Sequence, residues 1–304
     1  MTSAVADDLP APVAVHRAAR QRGPVGPRKI VKETLFYLAV VIVVLIALFP
    51  FYWILRTSLL SNQQVAAGVG GANGIIPSHL SGAAYKNVFT QGSFLTPLVN
   101  SVIVALATTV ITIVVATMAG YALARLRIRG TGPILAFILL AGFFPVLAMI
   151  GPLFLVLRYL GWLNSIWPLI IVYLVYTLPI ATWLLKSFFE QVPPELEDAA
   201  LVDGATRLQV LRKVVVPVAV PAVFTAAILS FILAWNDFAF AVSFLTSQSH
   251  FTAPLAITVF GQSAFQTFYN LIDAAVVIIS IPIAVLVLVA QRRIVSGLTA
   301  GSFR

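Results

Sequence analysis

Residues 193–221 read PPELEDAALVDGATRLQVLRKVVVPVAVP, the one long polar island in the second half of a mostly apolar chain. The order of residues predicts a helix, a break and a second helix. Pro193 and Pro194 suit a first helical turn, where the missing N–H costs nothing. Glu195, Glu197 and Asp198 fall near the positive end of the helix dipole. Leu196, Ala199 and Ala200 recur at i, i+3 and i+4, a narrow apolar stripe of mostly small residues. Gly204 follows Asp203 where a left-handed C-cap is expected. Thr206 and Gln209 have capping-box spacing and would start the second helix. Arg212 and Lys213 precede the return of apolar sequence. The pattern describes a short helical hairpin at a membrane surface, with small residues that would let another protein approach closely. On the residues alone, a solvated connecting loop fits the same stretch.

The surrounding composition points to a membrane. Of 304 residues, 60% are hydrophobic and 10% charged, against about 25% charged in soluble domains. There is no cysteine, which excludes disulfides, thiol chemistry and cysteine metal sites. His16, His79 and His250 are scattered, and no pair has metal-ligand spacing.

Outward from the hairpin, the chain predicts an all-α protein with six membrane spans. Residues 1–33 are rich in Ala, Pro and Arg without periodicity and read as a disordered basic tail. The apolar run that follows is too long for a secretory signal, and no small-residue cleavage site comes after it. Residues 35–55 carry no charge and are long enough for one crossing at about 20 residues. A glycine-rich connection follows. Further spans fit 98–122, 133–157, 167–185, 215–244 and 271–290. The six-span domain occupies 34–291, with the hairpin at 190–216, and a second tail runs over 292–304. No internal repeat stands out.

The distribution of Lys and Arg orients these spans. The first tail carries Arg17, Arg20, Arg22, Arg28, Lys29 and Lys32. The connection after the second span carries Arg125, Arg127 and Arg129. The hairpin region carries Lys186, Arg207, Arg212 and Lys213, and the last tail carries Arg292, Arg293 and Arg304. The other face holds only Arg56, Lys86 and Arg158 of the 19 basic residues. The bias places both termini and the hairpin in the cytoplasm. It also accounts for the net charge of +9 without nucleic acid.

Within the hairpin, Asp198-Ala199-Ala200, three residues, Gly204, nine residues and Val214-x-Val216-Pro217 resemble the Glu-Ala-Ala loop of ATP-binding-cassette importer permeases. That pattern is Glu-Ala-Ala, three, Gly, nine, Ile-x-Leu-Pro. Asp stands here for Glu, and Val for Ile and Leu. Other stretches are similar to the second permease of the maltose and trehalose type. They are Asn100-Ser101, 120–125 (GYALAR), 160–165 (LGWLNS), Ser187-Phe188-Phe189, Trp235-Asn236-Asp237 and 297–301 (GLTAG). The likeness covers about 35–301.

This resemblance implies a type I importer permease architecture. Its partners would be a second permease, a dimer of ATPase subunits, an external substrate-binding protein and the lipid bilayer. It implies that the hairpin docks into the ATPase, with coupling assigned to Glu197, Asp198, Ala199, Ala200, Asp203, Gly204 and Pro217. It implies a tail contact with the ATPase pair at Gly297, Leu298, Thr299, Ala300 and Gly301. This chain would bind no cofactor, and ATP and Mg would belong to the partner ATPase. No GxxxxGK[ST] phosphate loop occurs in the sequence.

Asn236 and Asp237 are candidate pathway residues, because a carboxylate near a membrane interior is a functional candidate by default. An interfacial helix end is the plainer alternative, with Trp235 as an interface anchor. Pro145, Pro152, Pro179 and Pro282 fall inside spans, as bent pathway helices or as ordinary membrane prolines. Phe143, Phe144, Trp162, Trp167, Tyr173 and Tyr176 offer stacking faces for a sugar, or lipid and interface contacts.

The expected function is inward movement of a disaccharide or oligosaccharide by alternating access driven by the separate ATPase. A permease of the same superfamily for glycerol 3-phosphate or a polyol is the second hypothesis. A phosphate would favour basic residues in the pathway, and the spans show none deep inside. An intramembrane enzyme is the third, and the chain has neither HExxH nor paired carboxylates at helical spacing in a span.

Overall fold

The computed structural model describes residues 27–300, apart from 69–73, 78, 91–93, 127 and 263–265. The chain divides into two compact units, Met1–Phe51 and Tyr52–Arg304. Helix α1 (Pro27–Ser58) supplies the described part of the first. Its side chains over 31–51 are exposed throughout, and most are apolar on every side of the helix, as a surface facing hydrocarbon requires.

The second unit is built from α4 (Leu95–Arg125), α7 (Trp167–Phe189), α11 (Val220–Trp235) and α14 (Tyr269–Ala300). Lipid supplies no hydrophobic drive between helices, so close approach of small residues and hydroxyl pairs holds such helices together. Helices α4 and α7 pack along their lengths in this way. Gly120 presses on α7 so tightly that a Cβ there would lie 3.1 Å from the Lys186 nitrogen. Thr112 and Thr177 meet hydroxyl to hydroxyl at 2.8 Å. Ala105, Ala116, Ala181, Ala222, Ala226 and Ala234 are buried across the same helices.

Short elements fill the connections: α2 (Asn62–Ala66), α3 (Ala83–Thr90), α12 (Ala239–Phe244) and α13 (Ala253–Ile257). Two of the sequence motifs hold them. The Asn100 amide donates to the carbonyls of Ser249 and Phe251, each at 3.0 Å, and the Ser101 hydroxyl accepts from the Ala253 amide at 2.8 Å. Asn164, left-handed at φ 59, accepts from the amides of Thr246 and Ser247 at 3.2 and 2.8 Å.

Among the described residues, four helices are long and apolar enough to cross a membrane, and up to six if each of two bent pairs counts as one span. The expected spans over 133–157 and 215–244 are each bent. The first is α5 (Thr131–Gly142) followed by α6 (Val146–Tyr159), bent by 86°. Pro145 lies at the break; it lacks an N–H and disfavours helical backbone in Phe144. The second is α11, turned by 84° from the segment before it and ending at Trp235, with α12 beyond. Pro217 and Pro221 flank the turn at Ala219.

Candidate functional site

The polar stretch folds as the hairpin its residues predict. Helix α8 runs over Pro194–Val202 with Pro194 in its first turn. Gly204 takes φ +86, the left-handed conformation that closes a helix. Its amide donates to the Leu201 carbonyl at 3.0 Å, and the Ala205 amide reaches Ala200 at 3.0 Å, which satisfies carbonyls the helix end would leave bare. Thr206 then caps α9 (Arg207–Val210). The Thr206 amide donates to Gln209 at 2.7 Å, and the Gln209 amide donates back to the Thr206 hydroxyl at 3.4 Å.

Beyond α9 the chain widens into a π-helix, Leu211–Val215, and passes through α10 (Val216–Val218) to the bend. Val210, Leu211 and Val215 are buried with Tyr121, Leu185 and Phe189. The hairpin therefore stands on a packed base formed with the ends of α4 and α7.

Its outer ridge is free. Asp198, Ala199, Asp203 and Gly204 are exposed, Ala200 is half-buried, and Pro217 is exposed further along. Leu196, Val202 and Leu208 present large apolar side chains, with Val202 87% exposed. No heavy atom comes within 4 Å of a Cβ built on Gly204. Within this chain, backbone conformation alone asks for glycine there.

Glu197 faces the other way. It is 3% exposed and lies against the end of α4, where Arg125 Nε donates to it at 2.6 Å and the Tyr121 hydroxyl at 2.9 Å. The sequence assigns Glu197 to coupling beside the exposed residues of α8, and the structure adds Tyr121 and Arg125 as its partners. Their spacing of four places them on one face of α4, which was the available signal.

Asn236 and Asp237 sit together at the break between α11 and α12. The Asn236 amide donates to the Ile232 carbonyl at 2.9 Å, closing α11. Asp237 Oδ2 accepts from the Tyr173 hydroxyl at 2.7 Å and from the Ala241 amide at 3.2 Å, opening α12. Trp235 is 1% exposed and stacks on Phe231, so it is core and not an interface anchor. Tyr173 and Tyr176 also turn inward, Tyr176 stacking on Phe240. Phe143, Phe144, Trp162 and Trp167 are exposed. Positions 297–300 belong to α14, their side chains and Gly301 lying outside the described residues. Among the described residues, no group of three or more His, Asp or Glu could hold a metal.

Several apolar helices of spanning length define a multi-pass membrane protein. The chain belongs to the family described as binding-protein-dependent transport system inner membrane component, which matches residues 113–299. It is the permease part of an ATP-binding-cassette transporter. It is 42% identical to the trehalose transport system permease protein SugB of Mycobacterium tuberculosis, over 85% of this chain and 93% of that one. It is 40% identical to the sulfoquinovosyl glycerol transport system permease protein SmoH of Agrobacterium fabrum, over 90% and 94%. It is 32% identical to the trehalose/maltose transport system permease protein MalG of Thermococcus litoralis, over 91% and 98%. Its fold is similar to a chain from the crystal structure of a bacterial ABC transporter that imports the acidic polysaccharide alginate. That likeness has a TM-score of 0.74 at 24% identity and covers 88% of this chain and 98% of that one.

Proposed function

We propose that this permease moves a disaccharide or oligosaccharide inward by alternating access. It would act beside a second permease, over an ATPase dimer that holds ATP and Mg, and below an external substrate-binding protein. The bent pairs count as spans, giving six, with both termini and the hairpin in the cytoplasm. The ridge of Asp198, Ala199, Ala200, Asp203 and Gly204 docks into the ATPase, and 297–301 approach the ATPase pair. Closure of the ATPase moves the hairpin, and the attached helices turn to change which side the cavity faces.

The observation that carries this reading is the exposed small-residue ridge on a packed base. It stands in a chain whose relatives bear the names of trehalose and maltose systems. Asn236 and Asp237 would be the polar pair that meets a passing solute, and each also makes a hydrogen bond within the chain. One observation favours a second solute class: the relative named for sulfoquinovosyl glycerol is nearly as similar as the first. Uptake by the reconstituted transporter separates the two, with labelled trehalose and maltose set against a sulfonated glycoside and glycerol 3-phosphate. Uptake of a neutral disaccharide is expected. Movement of the anionic solutes alone would reject the reading.

A further inference from the structure

Glu197 is the one buried residue of α8, and it is an acid. A buried carboxylate is tolerated when paired and hydrogen-bonded, and here both oxygens are engaged. Arg125 Nε meets one at 2.6 Å and the Tyr121 hydroxyl the other at 2.9 Å. Arg125 also reaches the Val192 carbonyl, in the link that leads from α7 into α8. The Tyr121 ring packs edge-on against Phe189, the last residue of α7, with centroids 6.4 Å apart. Glu197 and Arg125 are 72 residues apart in sequence, and their side chains join α8 to the end of α4.

The joint lands on the helix that can use it. Helix α4 packs against both α7 and α11, and Gly120, beside Tyr121, is wedged against the α7 backbone. A push on the hairpin has two covalent routes into the bundle, and both are jointed. One passes the Pro193-Pro194 turn into α7, and the other passes the π-helix and the bend at Ala219 into α11. The third route runs through the Glu197 contact into α4 and crosses no proline turn, π-helix or bend. A buried ion pair is a weak source of net stability compared with apolar packing, but its fixed donor geometry holds one relative placement of two helices.

We propose that Glu197, gripped by Arg125 and Tyr121, is a positioning residue that locks α8 to α4, so that the hairpin and the central helix turn as one body. This rests on the reading of the hairpin as the ATPase-docking element.

The test uses the complete reconstituted transporter with Glu197→Gln, Glu197→Ala and Tyr121→Phe. Four quantities are measured: permease level, ATPase captured in detergent, uptake, and ATP hydrolysis with and without the binding protein. Both Glu197 variants should capture the ATPase normally, because the ridge is untouched. Their uptake should fall about tenfold or more, and their ATP hydrolysis should respond little to the binding protein. Tyr121→Phe keeps the ion pair and should fall less. Glu197→Gln keeps the shape of the side chain and decides the matter alone if Glu197→Ala does not accumulate. Uptake and stimulation within about twofold of wild type in Glu197→Gln would overturn the proposal. Loss of ATPase capture in Glu197→Gln would overturn it too, by placing Glu197 in the docking contact itself. The docking reading fails on a different result, normal ATPase capture by Gly204→Asp.

Discussion

The Tyr173 hydroxyl donates to Asp237 at 2.7 Å across 64 residues, joining α7 to the break between α11 and α12. Tyr173 is fully buried, so its hydroxyl has no water to fall back on. Removing the acceptor leaves an unsatisfied donor, at about 1–3 kcal/mol, whereas removing both partners is nearly neutral. Asp237→Ala should therefore lower the Tm of the detergent-solubilised protein, and Asp237→Asn should lower it less. Adding Tyr173→Phe to Asp237→Ala should recover much of the loss. Equal losses with and without Tyr173→Phe would show that the bond is not what holds the break.

Two glycines separate packing from backbone needs. A Cβ at Gly120 would meet the Lys186 nitrogen at 3.1 Å, Leu185 Cβ at 3.3 Å and the Thr182 carbonyl at 3.4 Å. Gly120→Leu should push α4 off α7, at the about 1–3 kcal/mol typical of overpacking, and lower the Tm. Gly132 sits in α5 with nothing within 4 Å of an added Cβ. Gly132→Ala should be neutral or slightly stabilising, by up to about 1 kcal/mol from helix propensity. Thermal unfolding of the two variants side by side decides it.

Topology is open to direct measurement. A reporter fused after Arg129 or after Lys213 should read as cytoplasmic, and one inserted at Gly71 as external. The basic residues that follow α4 and those of the hairpin motivate the assignment. Swapped signals would remove the hairpin from the side on which an ATPase works.

The tail gives a separate handle. Truncation after Val295 should leave insertion intact and weaken ATPase capture or coupling. Full uptake with normal transport-linked ATP hydrolysis would remove 297–301 from the contact.

What was legible in the sequence was local. Gly204 declares its backbone because only glycine takes φ +86 without strain. Thr206 and Gln209 declare their cap because both partners lie within one turn. The broken spans were not legible in the same way. Pro145 and Pro179 both sit in apolar runs, yet the chain breaks at Pro145 while α7 continues through Pro179. A proline removes one N–H in either place. Whether the helix bends depends on neighbours, such as the α5 glycine Gly142, which packs against Pro179 so closely that an added Cβ would lie 2.8 Å away. The inward turn of Glu197 was hidden for the same reason. Adjacent acids differ by about 100° around a helix, and the choice between Glu197 and Asp198 for the inner face was set by Arg125 and Tyr121.

Gly204 carries the sharpest test of the docking surface. Its positive φ makes any side chain cost about 1 kcal/mol in backbone strain, and the space around it is open within this chain. Gly204→Ala should therefore accumulate normally and lose only part of its uptake. Gly204→Asp has the same backbone penalty and adds a charge. Buried against a partner without a counter-charge, that carboxylate would cost about 3 kcal/mol or more in addition. The permease should still insert, because the helices of the bundle are untouched. Pull-down of the ATPase from detergent-solubilised membranes, with permease level measured in parallel, should show capture abolished by Gly204→Asp and reduced by Gly204→Ala. If Gly204→Asp captured the ATPase and supported uptake as wild type does, the exposed ridge from Asp198 to Gly204 would not be the coupling surface.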